Sequence, residues 1–337
     1  MARAQNAELK FQRNGLIFNA ISDSFLTRLV LSPQGAPEVA IPNRLQFTPE
    51  LYERLNRAAQ TYWHPQPEVA LPAKPAWVLN TCADPDSFAQ ALLTIDMAYA
   101  TAPPIFNHPR AVMAARRDIA GVALAGIGGL EVPKSRRFLP LGPRSFTDCF
   151  EQGGFQYPVT VQPSAARNGV KRIWINHPMD WQTLFNLAGG GHHHIMVQAH
   201  PDEAAADWAL RMVFVGQGGA VETLRHRIKP GMSASVLPVQ KALVETVFKT
   251  AFRRIPLDFW TLDLMALAPN HLRLLDVSAG FFVPDAADDI AQMRQVSLTI
   301  ADQIGPRLSA LLAQPQNWRE DARKLPSVEA LMQRYGA

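Results

Sequence analysis

Apolar residues along the first hundred positions fall in short runs that switch between an alternating and a helical period. Residues 16–19 (Leu16, Ile17, Phe18, Asn19) and 77–80 (Trp77, Val78, Leu79, Asn80) read as strands. Residues 49–61 read as a helix with Leu51, Leu55 and Ala58 on one side. A helix is expected to start within 24–30, and Asp86 is placed to cap another over 87–98. This alternation over 1–105 predicts a small parallel sheet with crossover helices. The proline-rich stretch 63–75 reads as a linker or long loop. Beyond it the pattern predicts one helix over 109–124, with Pro109 in its first turn. Strand-forming runs follow at 155–162, 172–176, 194–198 and 211–215, and Asn168-Gly169 is the clearest hairpin turn between them. A helix is expected over 239–254, then a hairpin, a C-terminal helix over 287–312, and a short polar surface helix within 318–337.

The hairpin at 262–276 carries the most informative pattern. Two apolar strands flank the turn Pro269-Asn270. Residues paired across a symmetric hairpin share a constant index sum, so Asp263 and Asp276 should stand opposite each other on one face. Ser278, two residues on, points the same way. Opposed carboxylates repel unless a positive charge lies between them. A hard divalent cation, Mg²⁺, suits such oxygen ligands. The alternative is that each aspartate bonds locally at its strand end.

At roughly 150 residues per domain, the 337-residue chain holds two or three units. Hydrophobic residues at 47% supply a core, and charged residues at 18% argue against a disordered or coiled-coil protein. The net charge of +4 is too small to imply a nucleic-acid partner. Its distribution is more telling. Residues 107–172 hold ten Lys/Arg and four Asp/Glu, whereas the rest of the chain holds 23 and 25, which favours a small anionic ligand over a polyanion. Cys82 and Cys149 make no disulfide framework or zinc site and read as buried small hydrophobes in a reducing compartment. The first residues lack the apolar core of a signal peptide, and the longest apolar run, 119–130, is too short to span a bilayer. A cytoplasmic, soluble chain with no membrane partner is expected.

His192, His194 and His200, with Asp202 and Glu203 nearby, offer metal ligands, but the run reads better as a turn entering a strand. Residues 225–229 and 134–137 are basic runs that read as solvated surface. Gly126, Gly128 and Gly129 lack dinucleotide-fingerprint spacing, and no nucleophile elbow or Walker loop occurs.

Three segments together are similar to the ATP-grasp family. The first is Asn107-His108-Pro109 opening a helix that carries Arg116 and Arg117, followed by Gly126-Ile127-Gly128-Gly129 and Pro133. The second is the strand 155–163 with Asn168-Gly169, and the third is Leu262-Asp263 with Asp276 and Ser278. The closest likeness is to bacterial ATP-grasp proteins often fused to tetratricopeptide repeats. The resemblance implies a mixed α/β and α+β fold of three parts. These are a small N-terminal α/β domain at 1–105, a glycine-loop subdomain at 106–195, and a C-terminal subdomain at 196–337 that bears the carboxylate hairpin and a C-terminal helix. It implies ATP and Mg²⁺ as cofactors and a small carboxylate as substrate. Arg117 would approach the phosphates, with Arg116 as the alternate. Gln162 would take the place of the family's cationic phosphate ligand, and Asn168 and Gly169 would close over the triphosphate. Gln198, Ala199 and His200 would read adenine. Arg211 would face phosphate or acyl phosphate, Arg225 would meet the substrate, and Asp263, Asp276 and Ser278 would hold the metal. The departures are Gln162 for Lys or Arg, Asp276 for Glu, Ser278 for Asn, and a single glycine in 164–169. Two functions follow: an ATP-dependent carboxylate–amine ligase, or an inactive homologue acting as a binding or scaffold subunit for a partner protein.

Overall fold

The structure, a computed structural model, describes residues 14–23, 28–31, 37–40, 45, 49–140, 143–164, 173–181, 195–199, 208–215, 220–227, 237–280 and 321–335. The chain opens with β1 (Gly15–Ala20), β2 (Arg28–Leu31), β3 (Pro37–Ala40), α1 (Pro49–Asn56), β4 (Ala59–His64), β5 (Val78–Asn80), α2 (Ala89–Ala98) and β6 (Ile105–Phe106). Four of these strands form a parallel sheet in the order β4-β1-β5-β6. β1 lies inside it and is buried along its whole length, as a parallel strand covered on both faces should be. Gly15 is required there, because a Cβ would sit 2.2 Å from the Trp77 ring.

Three early expectations need correction. Residues 28–31 form a strand of a hairpin with β3, not the start of a helix. The helix expected over 49–61 stops at Asn56, and β4 begins at Ala59. There Thr61, Tyr62 and Trp63 are good strand formers. Tyr62 also packs its ring, tilted, 5.3 Å from that of Phe18 of β1. Asp86 does not cap α2, whose N-cap residue Phe88 has no side-chain cap. Asp84 instead organises the preceding turn, accepting from the Asp86 amide and the Ser87 hydroxyl.

The chain continues through α3 (Pro109–Ala114), α4 (Arg117–Leu124), β7 (Leu130–Glu131), β8 (Ser135–Phe138), α5 (Pro143–Gly153), β9 (Val159–Pro163), β10 (Ile173–Ile175) and β11 (Ile195–Ala199). The single helix expected over 109–124 is broken, with Arg116 in an extended conformation as N-cap of α4 (φ −58°, ψ 134°). Strands β10-β9-β11-β8 form an antiparallel sheet. Val159 and Val161 pack with Phe146 and Cys149 of α5 in a core of their own.

The remaining elements are β12 (Trp208–Val215), β13 (Ala220–Arg227), α6 (Leu237–Arg254), β14 (Phe259–Ala268), β15 (His271–Ser278) and α7 (Val328–Tyr335). A five-stranded sheet runs β13-β12-β14-β15-β7. Leu262, Leu264, Leu272, Leu274 and Val277 join Val244, Phe248 and Phe252 of α6 in one core that also includes the N-terminal sheet. α7 is not merely a surface helix. It buries Val328 and Leu331, and its Val328 amide donates to Asp96 of α2 at 2.9 Å. The expected helix over 287–312 lies outside the described residues.

Candidate functional site

The carboxylate hairpin has a more particular geometry than a symmetric turn would give. Asp263 and Asp276 are register partners, and so are Thr261 and Ser278. Between these pairs and the Pro269-Asn270 turn, each strand carries one extra residue: Leu275 on β15 and Leu267 on β14. The two irregularities offset each other, so the outer register is that of an ideal hairpin. The Leu275 bulge has a further effect. It keeps Leu272 and Leu274 on the apolar face with Leu264, while Asp276 and Ser278 emerge on the face of Asp263 and Thr261. One side of the hairpin is therefore core, and the other carries Thr261, Asp263, Asp276 and Ser278.

Strand β12 extends the polar row. Arg211 is the register partner of Asp263, so positions 211, 263 and 276 lie side by side across three adjacent strands. Arg225 of β13 is the partner of Leu210, which aligns with Leu264. The pleat thus sets position 225 on the other side of the sheet from position 211.

Arg117 reaches this row from α4. Its Nε donates to Asp276 Oδ1 at 2.9 Å and its Nη2 to Oδ2 at 3.0 Å, a two-pronged pair with side chains only 7% and 13% exposed. The helix break aims it. Arg116, the residue before, turns away to hold Asp118 at 2.8 and 3.0 Å and the Tyr335 carbonyl at 3.1 Å. The structure therefore joins two residues that the sequence suggested for different partners, a phosphate cation and a metal carboxylate.

The residues do not fit a magnesium ion at Asp276. Its carboxylate already takes the two guanidinium donors and the Val277 amide. A divalent ion there would share the carboxylate with a cation in contact. Ser278 Oγ accepts the Gly280 amide at 3.2 Å, and Thr261 Oγ1 donates to the Gly280 carbonyl at 2.8 Å, which ties the strand ends together. No group of three His, Cys, Asp or Glu able to hold a metal occurs among the described residues.

The antiparallel sheet presents a second polar surface. Side chains alternate along β9, so Thr160 and Gln162 lie on the face away from α5, and both are buried. Gln198 and Met196 of β11 are the register partners of Thr160 and Gln162. Asn168, Gly169, His192, His194 and His200 lie outside the described residues, while Ala199 pairs with Val159 at the strand end.

Sequence reasoning missed two residues with long-range polar partners, the first of which holds the end of this site. Asn107, read only as part of a helix opening, is buried with a left-handed φ of 52°. Its Oδ1 accepts from the Asp258 and Phe259 amides at 3.0 and 2.9 Å, and its Nδ2 donates to the Ala279 carbonyl at 2.8 Å. Its amide donates to Asp258 Oδ2 and its carbonyl accepts from Asn80 Nδ2. It ties the N-terminal sheet to the open end of the carboxylate hairpin. The second is Arg137, read as surface. It forms a 2.8 Å ion pair with Asp86, with side chains 7% and 1% exposed. Burial lowers the Arg137 pKa, and Asp86 opposes that shift.

The parallel sheet and the carboxylate-bearing sheet, joined through Asn107, stand with the antiparallel sheet in an ATP-grasp fold. The chain is similar in structure to the RimK domain protein ATP-grasp of Sphaerobacter thermophilus, with a TM-score of 0.51 and 11% identity over 86% of this chain and 99% of that one. It is also similar to D-alanine–D-alanine ligase of Bacillus anthracis complexed with ATP, with a TM-score of 0.52 and 10% identity over 91% and 100%. A third similar structure is N5-carboxyaminoimidazole synthetase of Staphylococcus aureus complexed with ADP, with a TM-score of 0.52 and 10% identity over 88% and 79%. At such identities the likeness is one of fold. No protein-family model matches the chain, and no curated protein does. No helix among the described residues is long and apolar enough to cross a membrane.

Proposed function

We propose that this chain is an ATP-dependent carboxylate–amine ligase acting in the cytoplasm on an amino acid, peptide or small acid. The observation that carries the reading is the row of positions 211, 263 and 276 on the polar side of a sheet within an ATP-grasp fold. The B. anthracis ligase and the S. aureus synthetase were solved with ATP and ADP respectively. In the proposed reaction a carboxylate oxygen attacks the γ-phosphorus of ATP. The bond to the bridging oxygen breaks, giving ADP and an acyl phosphate. An amine then attacks the acyl carbon, phosphate departs, and the amine loses a proton to leave the amide. Such chemistry is mostly positioning and charge neutralisation.

In this scheme Arg211 faces the transferring phosphoryl group. Backbone N–H groups of 164–170, with Asn168 and Gly169, cover the triphosphate. Gln162 offers it a neutral amide, and Gln198, Ala199 and His200 frame the adenine. The domain ranges proposed are 1–105, 106–195 and 196–337. Arg225, across the pleat from Arg211, has no part in this scheme.

A second reading, a binding or scaffold subunit without turnover, is favoured by the neutral Gln162 and by the engagement of Asp276 with Arg117. Hydroxylamine separates the two. Supplied as the nucleophile with a panel of amino acids, peptides and small acids, it should give ATP-dependent hydroxamate with stoichiometric ADP if the chain is a ligase. ATP binding without hydroxamate across the panel selects the second reading. If the chain neither binds ATP nor gives hydroxamate, the ligase reading is overturned.

A further inference from the structure

We infer that the Arg117 guanidinium is the resident cation of the carboxylate hairpin and holds the place on Asp276 that a divalent metal would otherwise take. The fork geometry is that of a matched guanidinium–carboxylate pair, with two nearly parallel donors at 2.9 and 3.0 Å. The pairing is built in from both sides. On one side, Arg116 anchors the start of α4 through Asp118 and the Tyr335 carbonyl, so the next residue is carried toward β15. On the other, the Leu275 bulge turns Asp276 out of the core face and opposite Asp263. Two aspartates directly opposed need a positive charge nearby, and the guanidinium supplies one that no change in ionic conditions removes. A small pocket lies beside the pair, lined by Arg117, Gly121, Pro133, Ser135, Leu275 and Asp276.

One consequence rests on the nucleotide reading above: ATP bound at this face should depend less on divalent ions than it would at a site built only of carboxylates. The guanidinium is permanent, whereas a metal must be recruited together with the nucleotide.

The test uses Mn²⁺ alone, with no nucleotide, followed by electron paramagnetic resonance on the full chain. Wild type and Arg117→Gln are compared, with Arg117→Lys as the variant that keeps the charge. Arg117→Gln should bind Mn²⁺ at least about tenfold more tightly than wild type, as expected for removing a like charge in contact with the ligand. Arg117→Lys should remain close to wild type. Adding Asp276→Asn to Arg117→Gln should abolish the gain. Equal Mn²⁺ binding by wild type and Arg117→Gln, whether strong or absent, would overturn the inference. So would a gain that survives loss of Asp276. A parallel titration of ATP with and without EDTA decides the nucleotide reading separately, because wild type that binds no ATP under either condition leaves the Mn²⁺ comparison intact.

Discussion

Arg116 and Arg117 are adjacent in the chain, and both are buried in ion pairs, yet they serve two regions of different character. Arg116 belongs to a knot where the C-terminal segment meets α2, α3 and α4. There Arg116 holds Asp118 and the Tyr335 carbonyl, Arg110 holds Asp96 and the Arg323 and Leu325 carbonyls, and Arg323 reaches the Tyr99 and Pro103 carbonyls. Most of these acceptors are main-chain carbonyls, so the knot fixes where a segment lies. Arg117 has a carboxylate as partner, on the polar side of a sheet beside a pocket. Arg110, Arg116 and Arg117 all meet a carboxylate, but Arg116 and Arg110 are also tied to main-chain carbonyls of the C-terminal segment, whereas the Arg117 pair stands beside a pocket.

The largest effect is expected at the joint that both regions share. Asn107→Ala would leave the Asp258 and Phe259 amides and the Ala279 carbonyl without these partners in a buried place. Each buried group left unsatisfied costs roughly 1–3 kcal/mol, so a loss above about 4 kcal/mol is expected in urea unfolding. The two neighbouring arginines then separate the regions. Arg116→Met should cost about 3–5 kcal/mol, because Asp118 stays buried without its guanidinium, and the loss should be the same with or without divalent ions. Arg117→Met should cost about 3 kcal/mol in EDTA but regain part of that stability in millimolar Mn²⁺, since Asp276 then accepts the metal. Equal responses of both variants to Mn²⁺ would erase the distinction.

A smaller effect probes the knot alone. Burial, with Arg323 and Arg110 alongside, holds His108 well below its ordinary pKa of 6.5. The folded chain keeps His108 neutral while the unfolded chain takes up a proton. The stability is therefore present above pH 6.5 and is lost as pH falls below it, by up to about 1.4 kcal/mol per pH unit. His108 Nδ1 accepts from the Arg110 amide at the start of α3, and His108→Asn keeps a capping acceptor. That variant should flatten the dependence of the urea midpoint on pH between about 5 and 6.5 by one proton. An unchanged slope would assign the dependence to another group.

The comparison also shows what the sequence reveals. The Asp263–Asp276 pairing was legible because a hairpin turn and a period of two determine it, and the two bulges cancel. Strands 16–19 and 77–80 were legible as continuous apolar runs. The helix break at Arg116 was not, because residues 109–124 keep a helical period through it. What ends the helix is a set of buried ion pairs with partners as far away as Asp276 and Tyr335. The basic excess in 107–172 was visible, but its use was not. Arg110, Arg116, Arg117 and Arg137 answer to Asp96, Asp118, Asp276 and Asp86 inside the protein. A count of charges does not distinguish a field aimed at a ligand from one met by carboxylates inside the fold. Locally Asn107 shows only as a residue ahead of a proline, whereas its work depends on long-range backbone partners that no local pattern encodes.

The polar side of the carboxylate sheet is the proposed nucleotide face. Thermal unfolding of the full chain, followed as ATP rises from micromolar to about 10 mM, tests it most directly. Ligand binding to the folded state alone stabilises it by about 2.7 kcal/mol at a hundred times the dissociation constant. The midpoint should climb with the logarithm of ATP concentration, and Arg211→Ala should lose the climb while keeping the ATP-free midpoint. A midpoint that does not move with ATP, or one that climbs equally in Arg211→Ala, would contradict the account.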